Sequence, residues 1–311
     1  MKSFLSHIMC RQGGFFMFRS KKLEMNVVLC LILIVGIIPI FLTTLGGRME
    51  IEDLLVRWSE NNVDSIERQL PEIVAKQINM HMPEEAIKAQ CVIARTQLML
   101  AQEKGTTTPS RFTISELQEL WGDQFEVYYQ KLQELIKKTA GETLQDANGY
   151  IYAAYHQVSA GNTRNINEYY EKNIMPYLQS VNCHGDTTAE GYLEVYYWTK
   201  DDFLAFYNQI FLEQSISGGE DIQIVKRDTA GYVLQVQVGQ TVYEGEEFRD
   251  RLQLPSACFD MKVLDGDVRI VTMGSGHGFG LSQHMAKVLA EEGKNYKEIL
   301  QYFYPGVVLT E

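Results

Sequence analysis

Glu84 and Glu85 head a run from Met82 to Gln97 that also carries Lys88, Gln90, Arg95 and Thr96 among apolar residues. A glutamate carboxyl can give and take a proton, the core of acid–base catalysis, although a helix start and Lys88 one turn on both favour its ionised form. Farther along, His156, Ser159 and Thr163 follow one another closely. Near the C-terminus, His277, Ser282 and Gln283 sit in or beside the glycine-rich stretch Gly274 to Gln283. Imidazole, hydroxyl and amide groups of this kind hydrogen-bond polar ligands. The same residues also fit ordinary structural hydrogen bonds, and the pattern alone leaves both readings open.

These groups need elements to hold them. Pro83 suits a first helical position, Glu84 and Glu85 suit the first turn, and no glycine or second proline interrupts the following twenty residues. Ala86, Ile87, Ala89, Cys91, Val92, Ile93, Ala94, Leu98 and Met99 cover nearly the whole circumference, which predicts a helix buried in a core. Leu70 before Pro71 marks a helix restart, and Thr113 with Glu116 offers a capping box for one helix reaching Lys138. Asn148-Gly149 between β-type runs predicts a hairpin that delivers His156 and releases the loop 159–163 beside it.

The aromatic-rich residues 192–217 read as helix. Strands are expected over 222–225, 232–238, 261–264 and 268–272, with a turn at Asp265-Gly266. Neither dinucleotide-binding nor P-loop glycine spacing can be read in 274–283, so alternate glycines there point to close backbone approach rather than phosphate binding. Helices and late hairpin strands without a βαβ rhythm give a mixed α+β domain.

The 311 residues include 28 basic and 40 acidic side chains, for a net charge of −12. Val27 to Leu45 is almost continuously apolar and long enough to cross a bilayer, with five basic residues and one acidic residue before it. The positive-inside rule then places the N-terminus in the cytosol and the rest outside the cell membrane, single-pass. The expected organisation is a cytoplasmic segment 1–26, an anchor 27–45, juxtamembrane helices 48–80 and an ectodomain 81–311. Without the N-terminal charges, 23 basic residues face 39 acidic ones, a balance of about −16 that argues against nucleic acid as a partner. Five cysteines without a Cys-x-x-Cys pair make no disulfide framework. A bridge between Cys183 and Cys258 is allowed, and Cys91 reads as a buried thiol.

Glu-Ala-Ile-Lys-Ala-Gln-Cys-Val-Ile-Ala-Arg-Thr, residues 85–96, resembles the signature of the stage II sporulation protein D family. The likeness continues in order through His156 with Ser159-Ala160-Gly161-Asn162-Thr163, then Pro176-Tyr177-Leu178-Gln179-Ser180-Val181. It extends to the segment from Phe248 to Phe259, to Gly274 to Gln283, and to Tyr304-Pro305-Gly306. Departures include Gln97 where tyrosine is usual, His284 after Gln283, and a shortened lead into the helix, which keeps Glu84 as a substitute for Glu85.

The resemblance implies a membrane-anchored peptidoglycan lytic transglycosylase with Glu85 as its one catalytic acid/base. Such an enzyme cleaves the glycan between MurNAc and GlcNAc and leaves 1,6-anhydro-muramyl ends. One motif glutamate fits this reaction because the substrate's own hydroxyl attacks, whereas hydrolysis usually needs a second carboxylate. The resemblance also implies septal wall remodelling and engulfment during sporulation, on denuded strands, with a partner amidase and a membrane scaffold. The location implied is the mother-cell membrane facing the intermembrane space. Amidase-enhancer relatives imply the alternative, a non-catalytic wall-binding module. On either reading Lys88, Gln90, Arg95, His156, Ser159, Thr163, His277, Ser282 and Gln283 are the substrate-binding candidates. Early helix, serine/threonine loop and glycine stretch are expected to build one sugar-accepting cleft around Glu85. No cofactor is expected. Some relatives hold zinc through cysteine and histidine, for which His156, Cys183 and His184 are the candidates, too scattered for a closed four-ligand site.

Overall fold

The computed structural model describes residues 66–212 and 214–310. The apolar run Val27 to Leu45 and most of the expected juxtamembrane segment lie outside them. Among the described residues no helix is long and apolar enough to cross a membrane.

The chain is arranged around one long helix. After α1 (Leu70–Gln77), with Pro71 in its first turn, α2 (Glu84–Lys104) runs to a left-handed Gly105. One face of α2, with Ala86, Ala89, Val92 and Ile93, packs into a core shared with the later strands and C-terminal helices. The opposite face, with Ile87, Cys91, Ala94 and Leu98, packs against α1, α3 (Ile114–Trp121) and α4 (Phe125–Lys138). Burial on both sides is what the unbroken apolar circumference requires. The single helix expected from Thr113 to Lys138 is two, because Gly122 takes a positive φ of 49° between them; the Thr113/Glu116 capping box is present.

Strand β1 (Thr143–Asp146) pairs antiparallel with β2 (Gly149–Tyr150), with Ala147 and Asn148 at the turn. The hairpin is real, but it ends before His156. That residue lies on β3 (Tyr155–His156), ahead of the short α5 (Ile166–Tyr170).

Residues 192–217 are a strand followed by a helix, β4 (Leu193–Trp198) and α6 (Lys200–Ile210), rather than one helix. Leu-Glu-Val-Tyr-Tyr-Trp is rich in aromatic and β-branched residues, and Thr199 caps the helix by accepting from the Asp202 amide, so local chemistry divides the segment. Next come β5 (Ile222–Arg227), β6 (Val233–Val238), β7 (Thr241–Glu244), α7 (Gly245–Arg251), β8 (Phe259–Leu264) and β9 (Asp267–Met273). They form two antiparallel sheets, β5-β6-β7 and β4-β9-β8, over a common aromatic core; Asp265-Gly266 turns β8 into β9 with both φ angles positive. The chain closes with β10 (Leu281–Ser282), α8 (Gln283–Glu291), α9 (Tyr296–Phe303) and β11 (Val308–Thr310). Strand β10 pairs parallel to β3, and β11 pairs antiparallel to β1. The described residues are therefore α+β, with mainly antiparallel strands.

A relay of amides ties α2 into this frame. Gln283 Nε2 donates to Gln90 Oε1 (3.2 Å), Gln90 to Gln77 (2.8 Å), Gln77 to Gln97 (3.1 Å), and Gln97 to the Ala153 carbonyl (2.8 Å). The relay runs from the half-buried Gln77 and Gln97 to the buried Gln90 and Gln283, so it fixes the mutual position of α1, α2, α8 and the residues before β3.

The approach of β10 to β3 depends on Gly280. Its φ is +70°, and a Cβ there would overlap the Ala154 carbonyl oxygen. Gly280→Ala should lower unfolding stability by more than about 3 kcal/mol, from backbone strain plus a steric clash. A denaturant midpoint equal to that of the wild type would show that the strand pair tolerates the methyl group.

Candidate functional site

Glu85 lies in the first turn of α2, with its side chain 29% exposed. Oε1 meets Lys88 Nζ one turn on at 2.5 Å, and Oε2 accepts from the backbone N–H of Tyr296, the first residue of α9, at 2.8 Å. Asn295 and Glu298 form a capping box that sets that helix start. The positive ends of two helices thus converge on one carboxyl group, which Lys88 also faces. Glu84 points elsewhere: it is 51% exposed and faces Lys138 at 3.9 Å.

Four further groups surround this carboxyl through shared partners, and three of them escaped the sequence reading. The Lys88 and Lys297 ammonium groups flank the Tyr296 ring at 5.7 and 5.6 Å from its centroid. The Tyr296 hydroxyl donates to Glu142 Oε1 at 3.0 Å, and Lys297 pairs with the same oxygen at 2.8 Å. Nothing in the spacing of Glu142, Tyr296 and Lys297 ties them to Glu85. Only the return of the C-terminal chain to α2 brings them together.

The other expected site residues divide into two groups. Arg95, 2% exposed, spreads its guanidinium between Glu67 (2.6 Å) and the carbonyls of Glu142 and Ile136. It orients backbone and has no open face. Gln90 and Gln283 are buried in the amide relay. Neither Gln90 nor Arg95 is placed to touch a ligand, because the all-round apolar helix takes both into the interior.

The serine/threonine loop and the glycine stretch do come together. Val158 bridges Ser275, the Arg164 amide donates to the Gly278 carbonyl, and a Cβ on Gly276 would press on His156. Close backbone approach was legible in the alternate glycines, and the bulky neighbours are the protein's own His156 and Tyr232. At the centre is Asp186, which is fully buried: Oδ2 accepts from the Ser159 amide and from the Ser282 hydroxyl, each at 2.7 Å, and Oδ1 faces His284 Nδ1 at 3.4 Å. Thr163 donates to the Gln179 carbonyl and accepts from the Val181 amide. The Ser159 hydroxyl accepts from the Gly161 amide at 3.2 Å, so the hydroxyls of Ser159, Thr163 and Ser282 are all committed inside the protein, since buried hydroxyls satisfy themselves locally. Among the described residues, no hydrogen bond of Glu85 reaches this cluster. The loop cluster gathers around Asp186 and meets α2 through Gln283 and Gln90, while the Glu85 carboxyl sits where α2 meets α9.

Arg164 joins the loop cluster to the β-rich lobe. It is fully buried, bonds Asp228 Oδ2 (2.6 Å), Glu246 Oε1 (2.5 Å) and the His277 carbonyl (3.1 Å), and stacks over Phe279 and Tyr232. Removing Arg164 would strip two buried carboxylates of the cation they share. Cys91, Cys183 and Cys258 are free and buried, so Cys183 and Cys258 are not bridged. Burial pushes the Cys91 and Cys183 thiols up to about 12 and Cys258 to about 11, so none is an activated nucleophile. Among the described residues no group of three or more His, Cys, Asp or Glu gathers as a ligand set, and His156, Cys183 and exposed His184 form none.

Taken together, fold and site define an α+β protein whose central helix opens on a partly exposed carboxyl clasped by a second helix start. A family model for the stage II sporulation protein matches residues 57–145. Stage II sporulation protein D of Bacillus amyloliquefaciens is 30% identical over 272 residues, covering 82% of this chain and 77% of that protein. The protein of the same name from Bacillus subtilis (strain 168) is 29% identical over 273 residues, covering 82% and 78%. The amidase enhancer of Bacillus subtilis (strain 168) is 54% identical over 37 residues, 12% of this chain and 5% of that protein. The chain belongs to the stage II sporulation protein D family.

Burial lowers His156 to about 4, against the opposing pull of Asp186, and leaves Nε2 without a partner; His277 is lowered well below its usual value by burial and by His156. Between pH 6.5 and about 4 the unfolded chain binds the proton that folded His156 refuses, so stability present above pH 6.5 falls as pH drops, by up to about 1.4 kcal/mol per unit. Melting temperatures measured across this window should decline, and His156→Gln should flatten the decline. An unchanged slope in the variant would remove His156 as its source.

Proposed function

We propose that this chain is a peptidoglycan lytic transglycosylase in which Glu85 is the single acid/base. The observation that carries this reading is the state of the carboxyl groups around α2 and α9. Glu85 is partly exposed and held in place by two donors. Glu142 is 6% exposed and neutralised by Lys297, and Glu298 is occupied in the capping box of α9. Hydrolysis with a second carboxylate would need such a group free beside the scissile bond. A lyase needs one only. Glu85 protonates the glycosidic oxygen as the bond to the muramyl anomeric carbon breaks. It then takes the proton of the sugar's own C6 hydroxyl as that oxygen bonds to the same carbon, closing the 1,6-anhydro ring. The carboxyl ends as it began, and no water is consumed.

Family membership supports a role in sporulation. The reading extends to wall remodelling at the septum and engulfment, with an amidase that strips stem peptides before the glycan is cut and a membrane scaffold that localises both. Membrane anchoring through Val27 to Leu45 belongs to the same proposal. A second reading, a non-catalytic stimulator of an amidase, is favoured by the 37-residue likeness to the amidase enhancer.

The purified chain, incubated with denuded glycan strands, should produce anhydro-muramyl ends detectable by mass spectrometry. Glu85→Gln should lower the rate by roughly 100-fold or more, the usual worth of a general acid/base, while Glu84→Gln should not. Stimulation of an amidase without any anhydro product would instead select the second reading.

A further inference from the structure

Glu142 is an unusual group to find in this core. Its carboxylate is 6% exposed, both of its donors, Tyr296 OH and Lys297 Nζ, use the same oxygen, and Oε2 is buried without a partner. Burying an unsatisfied carboxylate oxygen is costly, and an apolar side chain in its place would avoid that cost. Its surroundings supply a reason for the charge.

Glu142 belongs to a closed circuit. Its carbonyl accepts from Arg95 Nη1 at 3.1 Å, its side chain holds the Tyr296 hydroxyl at 3.0 Å, and Tyr296 N–H holds Glu85 Oε2 at 2.8 Å. Glu85 and Arg95 lie on the same helix, ten residues or about 15 Å apart along its axis. α9 is therefore fastened to α2 at both ends of one tyrosine: at its amide to the reacting carboxyl, at its hydroxyl to a carboxylate fixed on the same helix through Arg95. The capping box sets where α9 begins. It does not set how far the first amide stands from Glu85.

We infer that Glu142 is a positioning residue for Glu85, acting through Tyr296: it holds the tyrosine hydroxyl so that the Tyr296 amide grips Glu85 in the orientation needed for proton transfer. This rests on the reading of Glu85 as the acid/base, and it also makes a claim about geometry that stands apart from activity. Proton transfer tolerates little displacement of the donor, so loosening one oxygen of the carboxyl lowers turnover more than binding.

The test uses the full chain with Glu142→Ala, Glu142→Gln, Tyr296→Phe and the double variant Glu142→Ala/Tyr296→Phe, assayed on denuded glycan strands. Glu142→Ala and Tyr296→Phe should each lower kcat by about tenfold or more with KM within about twofold, and the double variant should be no worse than either, because both cut one circuit. Glu142→Gln, whose amide oxygen still accepts from the tyrosine, should recover most of the rate. In ¹⁵N-tyrosine-labelled protein, the Tyr296 amide proton resonance should move in the same direction in Glu142→Ala as in Glu85→Gln, and stay near its wild-type position in Glu142→Gln. That resonance is read whether or not the wild type cleaves glycan, so failure of the acid/base reading leaves this test intact. An alanine variant that lowers only the melting temperature, with kcat and the amide resonance unmoved, would overturn the inference, as would additive losses in the double variant.

Discussion

The grip on the Glu85 carboxyl is the contact from which the rest of the architecture follows. A carboxylate at one helix start is common. A second helix start delivered to the same carboxylate requires the chain to return more than two hundred residues later, and α9 does so with its first amide facing Oε2. For that to happen α2 must be enclosed on both faces, α8 must lie along it, and the glycine stretch that feeds α8 must pass close to the mid-chain loop. Each condition is met by a specific contact: the two cores on opposite faces of α2, the amide relay ending at Gln283, and the close passage of Gly276, Gly278 and Gly280 against His156, Tyr232 and Ala154.

Two buried charges hold the rest of the chain to this frame. Asp186 gathers the Ser159 amide, the Ser282 hydroxyl and His284, so it clamps the loop to the start of α8. Arg164, the residue directly after the same loop, reaches the opposite way into the β-rich lobe through Asp228 and Glu246. The serine/threonine loop is thus the joint between lobes, with an anion on one side and a cation on the other. Its own hydroxyls are spent in making that joint, which is why they are not free to grip a ligand.

Much of this was legible in the sequence wherever chemistry is local. Pro83 followed by an unbroken apolar circumference announced α2 and its burial, Thr113 and Glu116 announced a capped helix, and Asp265-Gly266 announced the β8-β9 turn. Glu85 was singled out through the family resemblance, and its place at the start of α2, where it is partly exposed, was legible from the same helix. What escaped was set by distant partners. The stretch 192–217 reads as helix by its spacing of aromatics, yet pairing with β9 draws its first part into a strand. Asp186, Arg164, Glu142 and Tyr296 carry no spacing signal, because their partners lie between 27 and 211 residues away. Arg95 and Gln90 show the reverse case: motif residues that look like ligand contacts and serve as internal ties, since a helix buried on all sides leaves them no route to solvent.

The central claim is that Glu85 works as a lone carboxyl and that the sugar's own hydroxyl, not water, completes the reaction. Mass spectrometry of products formed from denuded glycan in H₂¹⁸O tests it most directly. Cleavage should leave anhydro ends without ¹⁸O, at a rate that depends on Glu85. One ¹⁸O at each newly formed reducing end would show that water had attacked, and would contradict the account.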